Sequence, residues 1–83
     1  MEETRIALLG IIVEDPDSTA KINAILHDCS AYIVGRMGIP YRPKNVSIIS
    51  IIMDAPADVI SSISGKLGML PGVNVKTTYT KNH

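Results

Sequence analysis

Two segments of this sequence are apolar at almost every position, and they constrain the fold more than any other feature. Residues 6–13 and 46–53 consist mainly of isoleucine, leucine and valine, so both alternating faces of each segment are apolar. Short aliphatic runs of this kind are typical of buried strands, and a strand that is apolar on both faces must be covered from both sides. A chain of 83 residues has too few other segments to cover both faces. We therefore predict a homo-oligomer, a dimer or a tetramer, in which another copy covers one face.

The remaining segments predict two helices and two further strands. Pro16 and its acidic neighbours predict a turn and a helix that begins at Asp17 or Ser18. Residues 32–37 predict an edge strand, and residues 38–43 a connecting loop, because their two prolines cannot lie in a central strand. Apolar residues at helical spacing after residue 58 predict a second helix that stops at Gly68. The nearly strict alternation over residues 73–80 predicts a half-buried last strand.

This order of elements predicts an α+β, ferredoxin-like βαββαβ fold in a single domain over residues 1–83. Right-handed crossovers place the first and third strands at the centre of a four-stranded antiparallel sheet, with both helices on one face. The two central strands are then the two doubly apolar segments, which makes pattern and topology agree.

The face without helices is the predicted oligomer interface. Because both alternating sets of the central strands are aliphatic, the pattern leaves open which set faces outward. The side chains that we assign to the interface are Ile6, Leu8, Ile12, Ile48, Ile52 and Val75.

Composition argues against several classes of partner. Eight basic and eight acidic residues give no net charge, and the sequence contains no Phe or Trp, which disfavours binding to nucleic acid. No apolar run reaches the roughly 18 residues that span a membrane, and the acidic start lacks the basic region of a signal peptide. Cys29 is the one cysteine, so an intrachain disulfide is excluded and a reducing compartment is favoured. We expect a cytoplasmic protein.

No motif predicts catalysis, a metal ion or a cofactor, and we do not expect an enzyme. His27 and Cys29 are two residues apart and diverge on a helix, which favours a solvent-facing His27 and a core Cys29 over a metal site shared between subunits. Glu14, Asp15 and Asp17 could act as paired carboxylates, but acidic residues beside a proline favour helix capping. Residues 64–68 lack the spacing of a phosphate-binding loop and close a helix, where Lys66 could interact with the last carbonyls.

Four segments resemble a known family over nearly the whole chain. They are Val-Glu-Asp at 13–15, Arg-Met-Gly-Ile-Pro at 36–40, Ser-Gly-Lys-Leu-Gly at 64–68, and Pro-Gly-Val-Asn-Val-Lys-Thr at 71–77. The sequence resembles the small regulators associated with iron-only hydrogenase systems. The resemblance implies an ACT-like, ferredoxin-like fold and a regulatory or sensing role in hydrogenase maturation or expression.

Two related folds bind ligands in ways that this sequence does not match. The C-terminal domain of nickel-responsive repressors is similar in fold and binds metal with histidines and a cysteine on its sheet, but no histidine lies in a predicted strand here. Amino-acid-binding ACT domains have a glycine after the first turn, where this chain has Asp17 and Ser18. Neither nickel sensing nor amino-acid binding is therefore expected by those routes.

The leading functional hypothesis is a non-enzymatic regulatory module that oligomerises through its sheet and binds a small ligand at a subunit boundary. Clefts between subunits and backbone amides at a helix start are suited to such binding. The alternative is a ligand-free interaction protein that assembles with a maturation enzyme or a transcriptional partner; an enzyme with a site shared between subunits ranks third. The predicted ligand-binding residues are Glu14, Asp15, Asp17, Ser18, Gly65, Lys66 and Gly68.

Overall fold

Two helices cover one face of a four-stranded antiparallel sheet in the computed structural model, which describes residues 3–80. The strand order β2-β3-β1-β4 places both doubly apolar strands at the centre, which confirms the predicted fold class. The elements are β1 (Arg5–Val13), α1 (Thr19–Asp28), β2 (Ile33–Tyr41), β3 (Val46–Ala55), α2 (Ala57–Gly68) and β4 (Val73–Tyr79).

The register of the strands fixes which ends of the elements meet. Arg5 of β1 is opposite Ala55 of β3, so α2 starts beside the beginning of β1. Val13 is opposite Val73, so α2 ends, and α1 starts, at the other end of the sheet. The two helices therefore run antiparallel, and the β1–α1 turn lies beside the α2–β4 turn.

The edge strand β2 is longer than the sequence predicts. Residues 38–41 continue the strand to Tyr41, whereas we expected a loop there, and only Arg42–Lys44 form a separate 3-10 turn. An edge strand tolerates Pro40 because its missing N–H can fall on the side without a neighbouring strand. The prediction that this strand lies at the edge was correct, but its proposed end was wrong.

The core lies between the helices and one alternating set of strand residues. Leu9 and Ile11 of β1 and Ile51 and Met53 of β3 are fully buried against the helices. The helical partners of this layer are Ile22, Leu26, Ile60, Ile63 and Leu67. The odd-numbered set of the central strands thus faces the helices, and the even-numbered set faces away from them.

Candidate functional site

The open face of the sheet carries most of the large exposed apolar side chains. Five of the six interface candidates lie on it with 41% to 48% of their surface exposed: Ile6, Leu8, Ile12, Ile48 and Ile52. The edge strand extends the patch with Met37, Ile39 and Tyr41, which are opposite Ser50, Ile48 and Val46. We call these eight side chains the aliphatic face.

Val75 was wrongly assigned to this face. It is opposite the buried Ile11 and packs against the core on the helix side. The outward side chains of β4 are polar instead: Asn74, Lys76 and Thr78 are opposite Ile12, Gly10 and Leu8. The alternation of β4 was read correctly, but its apolar set is needed beneath α2, where Thr77 also exchanges a 2.9 Å hydrogen bond with Ser64.

A shallow depression of about 490 Å³ lies at the border of the aliphatic face with β4. Gly10 lies there, opposite Ser50 on one side and Lys76 on the other. A Cβ atom on Gly10 would meet no closer atom than a backbone oxygen 4.0 Å away, so nothing in the chain itself requires glycine there. A glycine within a strand often marks close approach of another backbone or a ligand, and this is the signal that our reading of the sequence missed.

Three polar side chains of the β1–α1 turn form hydrogen bonds within the chain. The Asp15 carboxylate accepts from the Asp17 amide at 3.0 Å and caps the 3-10 turn Pro16–Ser18. The predicted capping role is confirmed for Asp15 alone, because Ser18 precedes α1 without a side-chain capping bond. Glu14 accepts from the Asn74 side chain at 3.0 Å. Ser18 is 2% exposed, and its hydroxyl donates to the Pro71 carbonyl at 2.6 Å. The contacts of Glu14 and Ser18 join the β1–α1 turn to the α2–β4 turn and the start of β4.

The second group of predicted ligand residues lies in the last turn of α2, ahead of the α2–β4 turn. Gly65, Lys66 and Gly68 are exposed at the end of α2. Lys66 lines a groove between the helices, and no residue of the β1–α1 turn is part of that lining. Of the seven ligand-binding residues predicted from the sequence, Lys66 is therefore the one that lines this groove.

The interhelical groove has a volume of about 380 Å³, which is within the usual range of small-molecule sites. Its apolar wall includes the half-buried Ile25 and Val59, and its charged groups are Asp28, Asp58 and Lys66. The remaining lining residues are Cys29, Tyr32, Ser62 and Ile63.

Cys29 lies in the core beside this groove, as predicted, whereas His27 is exposed. The thiol donates a 3.5 Å hydrogen bond to the Leu26 carbonyl. Burial raises the pKa of the Cys29 thiol; the Asp28 carboxylate also raises it, and the Lys66 ammonium opposes the change. The thiol is thus neutral and weakly reactive near pH 7.

The described part of the chain has neither a metal-binding cluster nor a membrane-spanning helix. Residues 3–80 contain no group of three or more His, Cys, Asp or Glu side chains placed to hold a metal ion. Among the same residues, neither helix is long and apolar enough to cross a membrane.

Comparison with known proteins identifies the family. Residues 5–77 match the family described as "TM1266-like: Iron-only hydrogenase system regulator, putative". A solved structure of the uncharacterized protein TM1266 from Thermotoga maritima is 38% identical, covers 95% of this chain and 100% of its own, and superposes with a TM-score of 0.90. Curated proteins yield no match. The chain therefore belongs to the TM1266-like family that bears this iron-only hydrogenase regulator description, as the resemblance in its sequence implied.

Proposed function

We propose that this protein is a regulatory module of iron-only hydrogenase systems that works as a homo-oligomer joined through the aliphatic face. One observation carries the assembly half of the proposal: eight large apolar side chains are clustered on the face of the sheet that no helix covers. Soluble monomers rarely expose contiguous apolar patches of more than a few hundred Å². The family description supports the regulatory half.

A second copy of the chain is a suitable cover for this face. Two twisted sheets pack face to face through interdigitating aliphatic side chains, and every strand except β4 supplies outward apolar residues. The face also carries Asp54, opposite Ile6 on β1, and Lys76, opposite Gly10. Opposite charges outside an apolar centre favour one orientation of two copies over others.

The depression at Gly10 supports the same arrangement. Glycine within a strand costs about 0.5–1 kcal/mol relative to alanine, and the chain leaves room for a Cβ atom at this position. We infer that the backbone or a side chain of the second copy approaches most closely at Gly10 and Ser50.

The mass of the native chain in solution tests the assembly directly. We expect sedimentation equilibrium at micromolar concentration to give at least twice the 8.9 kDa of one chain. Burial of the aliphatic face provides the driving force, at about 25 cal/mol per Å² of apolar surface before the costs of association. A strictly monomeric species would contradict the proposal and favour the alternative, in which a different protein covers this face.

A Gly10→Ala substitution should affect folding and assembly in opposite directions. We expect the free energy of unfolding of the isolated subunit to rise by up to about 1 kcal/mol, because alanine reduces the conformational entropy of the unfolded chain. We also expect association to weaken by about tenfold, because each copy places an extra methyl group at the closest contact. Urea denaturation at a concentration where the chain is monomeric measures the first effect, and sedimentation measures the second. Unchanged association would show that the two copies do not meet at Gly10.

A further inference from the structure

The groove between α1 and α2 remains open whatever covers the aliphatic face, because it lies on the other side of the sheet. Residues that point from the helices into the sheet are almost completely buried, including Ile22, Leu26 and Leu67. Ile25 and Val59, which line the groove, are only partly buried against the core. The helices thus leave an apolar trough between them that no described residue fills.

The charged groups of the trough are arranged by sign along its length. Asp58, Ser62 and Lys66 all line it from α2, and four-residue spacing places them along one side of that helix. Two helical turns separate Asp58 from Lys66, a rise of about 12 Å. Asp28 ends α1 and lies toward the same end of the sheet as Asp58, because Ile33, shortly after it, is opposite Met53 near the end of β3. One end of the trough is therefore acidic, and the other end is basic.

Two of these charges suit the dipole of α2, because Asp58 lies in its first turn and Lys66 in its last turn. Among residues 3–80, neither the Lys66 ammonium nor the carboxylates of Asp28 and Asp58 form a salt bridge or a side-chain hydrogen bond. Asp28 is also at the C-terminus of α1, where the helix dipole disfavours a negative charge. A cationic group bound beside Asp28 would relieve this unfavourable interaction with the helix dipole.

We propose that the interhelical groove binds a small dipolar molecule with an apolar body, a cationic group beside Asp28 and Asp58, and an anionic group beside Lys66. Ile25, Val59 and Ile63 would contact the body of the ligand, and the Ser62 hydroxyl lies at its middle as a hydrogen-bonding group. Lys66 was already among the ligand-binding residues predicted from the sequence, but it acts here without the β1–α1 turn. The site does not depend on the oligomer.

Binding of straight-chain ω-amino acids tests the length and polarity of this site. Calorimetric titration with aminobutanoate, aminohexanoate and aminooctanoate should show affinity that rises with length, because only the longest approaches the span from Asp58 to Lys66. Hexylamine and hexanoate, which carry one charge each, should bind more weakly than aminooctanoate. Absence of aminooctanoate binding at millimolar concentration would overturn the proposal.

Two variants assign the ends of the ligand. Lys66→Met should weaken the binding of aminooctanoate by about threefold to fivefold, the effect expected for a solvent-exposed ion pair, and leave the binding of hexylamine unchanged. Asp58→Asn should weaken the binding of both aminooctanoate and hexylamine. Lys21→Met, which removes a lysine of α1 that does not line the groove, is the control. Equal affinity of native protein and Lys66→Met for aminooctanoate, or an equal loss in Lys21→Met, would contradict the assigned orientation.

The single cysteine provides an independent readout of occupancy. Bound aminooctanoate should slow alkylation of Cys29 by iodoacetamide, because the thiol lies in the wall of the groove and no other cysteine contributes to the signal. Binding without any protection of Cys29 would place the compound elsewhere and overturn the assignment of the site.

Discussion

Replacement of Gly72 by alanine should destabilise the fold by about 2–4 kcal/mol, the range of severe single substitutions. Gly72 has a φ of 67°, which L-residues rarely adopt, and a Cβ atom there would lie 2.7 Å from the Asp15 Cβ and 2.8 Å from the Asp15 amide nitrogen. The β1–α1 turn and the α2–β4 turn cannot move apart to make room for the methyl group without losing the hydrogen bonds between them. The Glu14 amide donates to the Gly72 carbonyl at 2.7 Å, and the Ser18 hydroxyl donates to the Pro71 carbonyl.

The same substitution at Gly65 is the matched control for Gly72→Ala. Gly65 is inside α2, and a Cβ atom there would meet no heavy atom within 4 Å. Alanine should therefore stabilise the helix by about 0.5–1 kcal/mol. Urea denaturation of both variants measures the difference in sign. A Gly72→Ala variant as stable as the native chain would show that the two turns are not tightly joined.

An Ile52→Lys substitution should separate the oligomer while leaving the subunit folded. Ile52 belongs to the aliphatic face on the central strand β3, opposite Leu8 and Gly35. Its side chain is 41% exposed in one subunit, so a lysine can reach solvent there, but in an assembled face its ammonium would be buried without a partner. We expect association to weaken by at least about 30-fold, which corresponds to about 2 kcal/mol.

Met69→Lys is the matched control for Ile52→Lys. Met69 is 86% exposed just after α2 and lies outside the sheet. A lysine at position 69 should leave the mass measured by sedimentation unchanged. Circular dichroism of both variants checks that the subunit retains its fold. If Ile52→Lys keeps the native mass, or if Met69→Lys lowers it equally, the aliphatic face is not the contact.

In the predicted ligand site, contacts between nearby residues could be predicted from the sequence, but contacts between distant segments could not. Asp15 was correctly interpreted as a cap, because capping depends on residues two or three positions away in the chain. The partners of Ser18 and Glu14 are Pro71 and Asn74, 53 and 60 positions away, and local patterns carry no information about such contacts. The groove between α1 and α2 is likewise formed by side chains from two distant segments, and the sequence indicated only Lys66 among them.

By itself, the sequence determined the order of the elements, the central position of the two doubly apolar strands and the existence of a sheet face without helices. These features follow from local periodicity and from the handedness of the connections. Only the tertiary structure decided that the even-numbered side chains face outward and that β4 presents Asn74, Lys76 and Thr78 instead of Val75. The physical reason is that both sets of the central strands are aliphatic and satisfy burial equally well, so only the packing of the helices against one set distinguishes them.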